Sequence, residues 1–261
     1  MLPLLCIGTF VRPATAAGSS TVGDDLSLFL RLTGHTLTAP TRWHGHDWLV
    51  AGGVIAGTGA TSLLDNDIYA LMERNHTTFN DGLHKVGLGY GSGITGVAAI
   101  GGLYLSGLAF ENTWLRETGV LMASALSTSV LAETAIKFIV GRARPYAGLG
   151  HATFKPFNGK AAFVSFPSGH TVVAFTLSAV LAERIHNTWA SIGLYSLATL
   201  AGASRLYSRD HWLSDVVFSG ALSTCVAVSV VRWYERGMND EEATGLHIIP
   251  RINGVTAVWR F

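Results

Sequence analysis

Charged residues are scarce in this chain. Only 13% of its 261 residues are charged, against about 25% in typical soluble domains, whereas 49% are hydrophobic. The net charge of +1 gives no indication of the basic surface that nucleic-acid-binding proteins carry, so nucleic acid is not expected as a partner. The low charge content favours a membrane-embedded or membrane-associated protein over a bundle of fully solvated helices.

Cysteine is nearly absent as well. The two cysteines are Cys6, close to the start, and Cys225, inside an apolar run. If the start of the chain is removed, one thiol remains and no intrachain disulfide can form. The cysteine count therefore gives no information about the redox compartment.

The first sixteen residues have most features of an export signal. An apolar stretch from Leu2 to Val11 precedes Ala14-Thr15-Ala16, a small-x-small pattern typical of cleavage sites, although the usual basic residues before the apolar stretch are missing. We predict a signal peptide over 1–16, with an ordinary apolar tail as the alternative. A polar segment over 17–47 follows it.

Six apolar runs follow the polar segment, and they predict an all-α protein: a six-helix bundle over 48–235, embedded in a membrane. The runs are Trp48–Leu64, Val86–Phe110, Thr118–Val140, His170–Ala182, Thr188–Ala203 and Val216–Val231. Several are near or below the ~20 residues that a spanning helix needs. Small residues at four-residue spacing, such as Gly87 and Gly91, indicate close helix packing rather than a nucleotide-binding loop.

The number of crossings and the signal peptide conflict. If all six runs cross and the motif ends face outward, the N-terminus must be cytoplasmic, whereas a cleaved signal places it outside. The lysines and arginines of the loops do not decide the orientation. Three explanations stay open: the first residues are not a signal, one run (the glycine-rich Trp48–Leu64 is the weakest) does not cross, or the helical body is soluble in the periplasm.

Two further patterns favour structural roles. The tail over 236–261 contains Asn253-Gly254 between two alternating apolar stretches, which predicts a short β-hairpin. His44-Gly-His46-Asp47 has metal-ligand spacing, but it lies apart from the other chemistry-bearing residues, and we predict no metal site there.

Three short motifs combine residue types that suit phosphoryl transfer. They are Lys137-x6-Arg144-Pro145, Pro167-Ser168-Gly169-His170 and Ser204-Arg205-x5-His211-x3-Asp215. They supply three fixed cations, two histidines and one carboxylate. These groups can hold a phosphate dianion and pass its phosphorus to an imidazole.

The spacing within the motifs predicts how they fold. Lys137 and Arg144 are two helical turns apart, so they face one pocket if a helix continues to Arg144. A helix beginning near His170 would offer free backbone N–H groups to an anion. His211 and Asp215 are four apart, so a helix would let the carboxylate hydrogen-bond the imidazole.

The three motifs resemble the signature motifs of the type 2 phosphatidic acid phosphatase and vanadium haloperoxidase superfamily, with all eight signature side chains present. The resemblance implies that His211 is the nucleophile, that Asp215 orients it and that His170 is the general acid. It also implies that the phosphate-binding residues are Lys137, Arg144, Ser168, Gly169 and Arg205. The phosphatases of this superfamily need no metal or cofactor, whereas its haloperoxidases bind vanadate.

The function expected from these features is hydrolysis of a lipid phosphate mono- or diphosphate ester through a phosphohistidine. The enzyme would lie in the inner membrane of a bacterial envelope with an extracytoplasmic active site. The alternative is a soluble periplasmic acid phosphatase of broad specificity. A vanadate-dependent haloperoxidase is disfavoured because the chain is short and apolar. The motifs select neither the lipid nor the oligomeric state.

Overall fold

The structure is a computed structural model that describes residues 22–237, 245–251 and 254–260. The predicted signal peptide lies outside these residues. The α-helices are α1 Val22–Leu37, α2 Gly45–Ser62, α3 Asp65–Arg74, α4 Thr78–Tyr90, α5 Gly93–Ala109, α6 Thr113–Val140, α7 Gly169–Ile185, α8 Thr188–Tyr207 and α9 Leu213–Glu235. Short 3₁₀ turns lie at Ala39–Arg42, Pro145–Ala147 and Ala161–Phe163. The main body is helical, as predicted.

The prediction of six helices differs from the nine α-helices in the described part of the chain. The segment over 17–47 is not simply polar, because α1 carries apolar residues on one face and buries Leu32 fully in the core. That core also contains Leu121 and Met122 of α6, with Val180 of α7 and Val230 of α9. The helical body therefore begins before the predicted boundary at Trp48.

The predicted run Val86–Phe110 is divided into α4 and α5, whose axes bend by 52°. Ser92 begins α5 by accepting a hydrogen bond from the backbone of Thr95 (3.1 Å). A side chain at Gly87 would collide with the carbonyl of Leu200 in α8, and a Cβ at Gly91 would lie 2.8 Å from the carbonyl of His170. These contacts support the interpretation of the glycines as helix-packing residues.

Fewer described helices than the six predicted are long and apolar enough to cross a membrane. Among the described residues, α6 and α9 are long and apolar enough to cross, and the bent pair α4–α5 would be a third span. Helix α2 buries none of its residues. It exposes Leu49 by 75% and Ile55 by 66%, and α5 exposes Ile94 by 83%. Such apolar exposure on these helices supports a membrane-embedded protein.

Near the C-terminus, strands β1 (Gly245–Arg251) and β2 (Gly254–Arg260) pair antiparallel, with Arg251 opposite Gly254. Asn253 of the predicted turn lies outside the described residues. The His44–Asp47 segment forms the start of α2, where the His44 backbone N–H donates to the Asp47 carboxylate (2.9 Å). This pair is a helix cap.

Candidate active site

The first motif turns a corner instead of continuing a helix. Helix α6 ends at Val140, and Gly141 follows in the left-handed region with φ +58°. A side chain at Gly141 would collide with the carbonyl of Lys155, so only glycine suits this position. The prediction that Lys137 and Arg144 lie two turns apart on one helix is therefore wrong. Arg144 lies on an extended segment before Pro145.

The third motif lies in the turn between α8 and α9. Helix α9 begins at Leu213, so His211 precedes it and does not share its helical geometry with Asp215. His211 Nδ1 lies 2.6 Å from the carbonyl oxygen of Ser165. Because a carbonyl only accepts, Nδ1 carries the proton and Nε2 keeps its lone pair. The side chain is 3% exposed.

The predicted direct hydrogen bond between His211 and Asp215 is absent, because the nearest carboxylate oxygen lies 3.7 Å from Nδ1. Asp215 is instead held by other donors. Its Oδ2 accepts from Ser165 Oγ (2.5 Å) and from the Trp212 backbone (2.9 Å), and its Oδ1 accepts from Arg142 Nη1 (2.6 Å). Ser165 thus joins both members of the pair, since its carbonyl receives the histidine and its hydroxyl donates to the carboxylate.

Behind Asp215 lies a buried set of charges that the sequence analysis missed. Arg142 Nη2 donates to Asp65 of α3 (2.7 Å), and its Nη1 also donates to Ser214 Oγ (2.7 Å). Asp65 in turn accepts from the Ser214 backbone at 2.9 Å. We call Asp65, Arg142 and Asp215 the rear cluster. No motif signals Asp65, which lies far from the three motifs in sequence.

The start of α7 forms one wall of the site. We predicted that N–H groups at this helix start are free to bind an anion. The Ser168 N–H is not free, because it donates to Ser219 Oγ (2.6 Å). The Ser168 hydroxyl accepts from Thr171 Oγ1 (2.9 Å) and retains its own proton as a donor. Gly169 and His170 lie in the first turn, where N–H groups have no partner within the helix. A Cβ at Gly169 would lie 3.9 Å from Lys137 Nζ, which places that cation beside this helix start.

Each of the three predicted cations is paired with a carboxylate. Lys137 forms an ion pair with Glu133, one turn earlier on α6. Asp210 bridges the two arginines: its Oδ1 lies 3.0 Å from Arg144 Nη1 and its Oδ2 lies 2.5 Å from Arg205 Nη2. Sequence reasoning missed both carboxylates, although their closeness to the motif residues along the chain was visible.

The two arginines also retain unused donors. Within the described part of the chain, the Nε atoms of Arg144 and Arg205 are buried without a hydrogen-bond partner. A buried unpaired donor is costly, and an anion between the two guanidinium groups would pair it. We call Arg144, Arg205 and Asp210 the front cluster.

Both histidines favour the neutral form. Burial lowers the pKa of His211 below its ordinary value, against the opposing charge of Asp215. Burial, with a further contribution from the positive charge of Arg205, lowers the pKa of His170 to about 4. No group of three or more potential ligands among the described residues is arranged to hold a metal ion. The site therefore combines two neutral imidazoles with cations and helix N–H groups.

A family model described as "PAP2 superfamily" matches residues 118–238, which include all three motifs. A lipid A 1-phosphatase of Rhizobium etli is 32% identical over 123 residues, covering 44% of this chain and 51% of that protein. A lipid A 1-phosphatase of Porphyromonas gingivalis is 32% identical over 111 residues, covering 41% of this chain and 22% of that protein. The chain thus spans about half or less of these relatives' lengths.

Two solved structures share the fold. A phosphatidylglycerolphosphate phosphatase of Bacillus subtilis, described as a transmembrane PAP2-type enzyme, superposes with a TM-score of 0.54 at 21% identity, covering 83% of this chain and 98% of that one. Aquifex aeolicus LpxE superposes with a TM-score of 0.50 at 20% identity, covering 65% of this chain and 95% of that one. The family resemblance inferred from the motifs is confirmed.

Proposed function

We propose that this chain, whose residues 118–238 match the PAP2 superfamily model, hydrolyses a lipid phosphate mono- or diphosphate ester through a phosphohistidine, without a metal. The observation that carries the proposal is the state of His211. Its Nδ1–H is bound to the Ser165 carbonyl, which leaves Nε2 as a nucleophile in a buried site.

The substrate phosphate would bind against the start of α7 and the front cluster. Its oxygens would accept from the unpaired Nε atoms of Arg144 and Arg205, with Lys137 as a further charge. Ser168 Oγ and the N–H of Gly169 would complete the donors. In this role the cations and N–H groups stabilise the negative charge on the equatorial oxygens during transfer.

Transfer would proceed in two steps. First, His211 Nε2 forms a bond to phosphorus while the bond to the leaving oxygen breaks, and His170 donates a proton to that oxygen. In the second step the oxygen of a water molecule bonds to phosphorus while the bond between phosphorus and His211 Nε2 breaks, and neutral His170 accepts the proton that this water loses; phosphate is released and His211 is free again. The pKa of His170 is about 4 without substrate, and the negative charge of a bound phosphate would raise it and favour the protonated donor.

A lipid as the substrate is supported by an apolar cavity of about 520 Å³ in the helical body. The cavity lies between α7, α8 and α9. Two of its lining residues are close to site residues in sequence: Leu206 follows Arg205, and Leu213 lies two residues after His211. It is lined by Phe175, Thr199, Ala203, Leu206, Leu213, Val216, Val217, Gly220, Ala221, Thr224 and Cys225. An acyl chain beside a bound headgroup would find an apolar environment there.

We propose an inner-membrane location with the site on the extracytoplasmic side. Helix α2 does not meet the length and composition expected of a span, whereas α4–α5, α6 and α9 do. If the signal at 1–16 is cleaved, α4–α5 would cross inward and α6 outward. The end of α6 with Lys137 would then lie outside. The explanation in which Trp48–Leu64 does not cross thus reconciles the signal with the orientation.

The test is phosphate release by the purified full-length chain in detergent. Phosphatidate, phosphatidylglycerol phosphate, a polyprenyl diphosphate and a lipid A phosphate would be compared with soluble phosphate esters, with and without EDTA. We expect preference for a lipid, unchanged rates in EDTA, competitive inhibition by vanadate, and an acid-labile phosphoenzyme after rapid quench. Equal turnover of soluble esters by a protein extractable with carbonate would favour the periplasmic acid phosphatase instead. A loss of activity in EDTA that added metal restores would contradict the mechanism.

A further inference from the structure

Asp210 occupies the position between two arginines where a phosphate would bind. Its two carboxylate oxygens are divided between the guanidinium groups, one to Arg144 (3.0 Å) and one to Arg205 (2.5 Å). Ser208 Oγ adds a third donor to Oδ2 at 2.6 Å. The carboxylate thus makes the contacts that two oxygens of a phosphate would make.

The turn before α9 fixes Asp210 at this place. Arg209 has φ +58°, a conformation that residues other than glycine seldom adopt. The Asp210 N–H donates to the Arg205 carbonyl (3.1 Å), and the Arg209 carbonyl accepts from the Tyr146 N–H (3.1 Å). The backbone therefore holds Asp210 against both the end of α8 and the segment that carries Arg144.

Asp210 is charged at neutral pH. Burial alone would raise the pKa of its carboxyl, but the hydrogen bond from Ser208 and the charges of Arg205 and Arg144 outweigh burial and hold the pKa below its usual value. The side chain is 21% exposed, so its interactions with the arginines are only partly screened by solvent. One negative charge thus offsets part of the attraction that two arginines would exert on a phosphate.

We propose that Asp210 is the resident counter-anion of the phosphate site: it keeps Arg144 and Arg205 in place and competes with phosphate for them, which limits the affinity for both substrate and product. The inference rests on the proposed function, since it requires that phosphate binds the front cluster. A substrate displaces the carboxylate from the Nη atoms or shares them, using the free Nε donors first. Release of inorganic phosphate is then aided by return of the carboxylate to the arginines.

Removal of the negative charge of Asp210 should strengthen phosphate binding. Asp210→Asn keeps the shape of the side chain and removes its charge, so phosphate should bind more tightly. We expect the inhibition constant of inorganic phosphate to fall about tenfold, the scale of one competing charge-assisted contact, with a lower KM. If Asp210 only positions the arginines, the same substitution would leave phosphate binding unchanged or weaken it.

The matched control is Glu73→Gln. Glu73 pairs with Arg209, the residue before Asp210, at 3.5 Å and is 37% exposed. The substitution therefore removes one negative charge beside the same turn and leaves the residues of the front cluster unchanged. Its inhibition constant and KM should equal those of the unmodified chain. Asp210→Ser, a smaller uncharged side chain, should shift the inhibition constant in the same direction as Asp210→Asn and serves if that variant does not fold.

The measurements are phosphate and vanadate inhibition, KM, kcat and the thermal unfolding midpoint for each variant. Tighter phosphate binding in both Asp210 variants, with Glu73→Gln unchanged, supports the inference. Unchanged or weaker phosphate binding in a folded Asp210 variant overturns it. If neither phosphate nor vanadate binds the unmodified chain, the proposed function itself fails, and that result is distinguishable because it does not depend on any variant.

Discussion

The rear and front clusters are both made of arginine and aspartate, yet they differ in how completely they are paired. In the rear cluster, Arg142 is 5% exposed, and Asp65 and Asp215 are fully buried. In the front cluster, Arg144 is 19% exposed and Asp210 21%, and the Nε donors of the two arginines have no partner among the described residues. The rear cluster is thus built to stay fixed behind the histidine, whereas the front cluster can exchange one anion for another.

Removing His211 should have the largest effect, because in the proposed mechanism its imidazole forms the bond to phosphorus. His211→Ala should lower kcat by at least about 10⁴-fold, as removal of a covalent nucleophile does in other enzymes. Rapid-quench labelling should yield no acid-labile phosphoenzyme. Retention of more than about a hundredth of the rate would contradict the assignment, since loss of a single acid–base group alone can cost that much.

The contrast between the clusters predicts different losses from the same substitution. Arg142→Ala leaves two buried carboxylates without their partner and should destabilise the fold by about 3–5 kcal/mol. Arg144→Ala breaks a partly exposed pair and should cost about 1 kcal/mol or less, while raising KM. Thermal unfolding in detergent and steady-state kinetics would measure both variants. Equal stability losses would remove the distinction between the clusters.

Substitution of His170 tests whether this residue protonates the leaving group. His170→Ala should slow hydrolysis of an alkyl phosphate by about 10²-fold, the lower range for a general acid. It should slow hydrolysis of p-nitrophenyl phosphate far less, because p-nitrophenolate leaves without a proton. Initial rates on both esters by one preparation provide the measurement. Equal losses on the two would indicate that His170 binds phosphate instead.

The smallest expected effect is the pH dependence that follows from the same residue. The pKa of His170 is about 4 in the free protein, so its protonated fraction falls as the pH rises above that value. We expect kcat/KM for an alkyl phosphate to increase toward acid pH more steeply than for p-nitrophenyl phosphate. Parallel profiles, corrected for ionisation of each substrate, would argue against proton donation by His170.

The sequence indicates candidate site residues because the chemistry of phosphoryl transfer restricts the residue types that can serve it. Their geometry was less accessible. The spacing of Lys137 and Arg144 agrees with two helical turns, but Gly141 ends the helix between them, and one glycine decides this through its left-handed conformation. Similarly, the i, i+4 spacing of His211 and Asp215 suggests that both lie on one helix, but α9 begins at Leu213, two residues after His211.

The clusters themselves depend on contacts between distant segments. Asp65 reaches Arg142 across 77 positions, and no periodicity or motif connects them. Asp210 was a different omission, since it stands directly before His211. A carboxylate inside a phosphate site contradicts the simple expectation of cations alone, and only the positions of both guanidinium groups reveal its place. Helix α1 was missed because the segment over 17–47 was judged by its overall polarity, whereas the apolar residues of α1 are gathered on one face.

The corner at Gly141 changes the meaning of the spacing in the first motif. On a continuous helix, one inserted residue would rotate Arg144 by about 100° around the axis. Past Gly141 the chain is extended, and an insertion would instead shift Arg144 along its path by about 3.3 Å. Of the six residues between Lys137 and Arg144, the last three follow the end of α6, so their number sets a distance along the chain and not an angle around a helix. An insertion or deletion after Gly141 would therefore change how far Arg144 reaches from the end of α6, and not its direction around a helix axis.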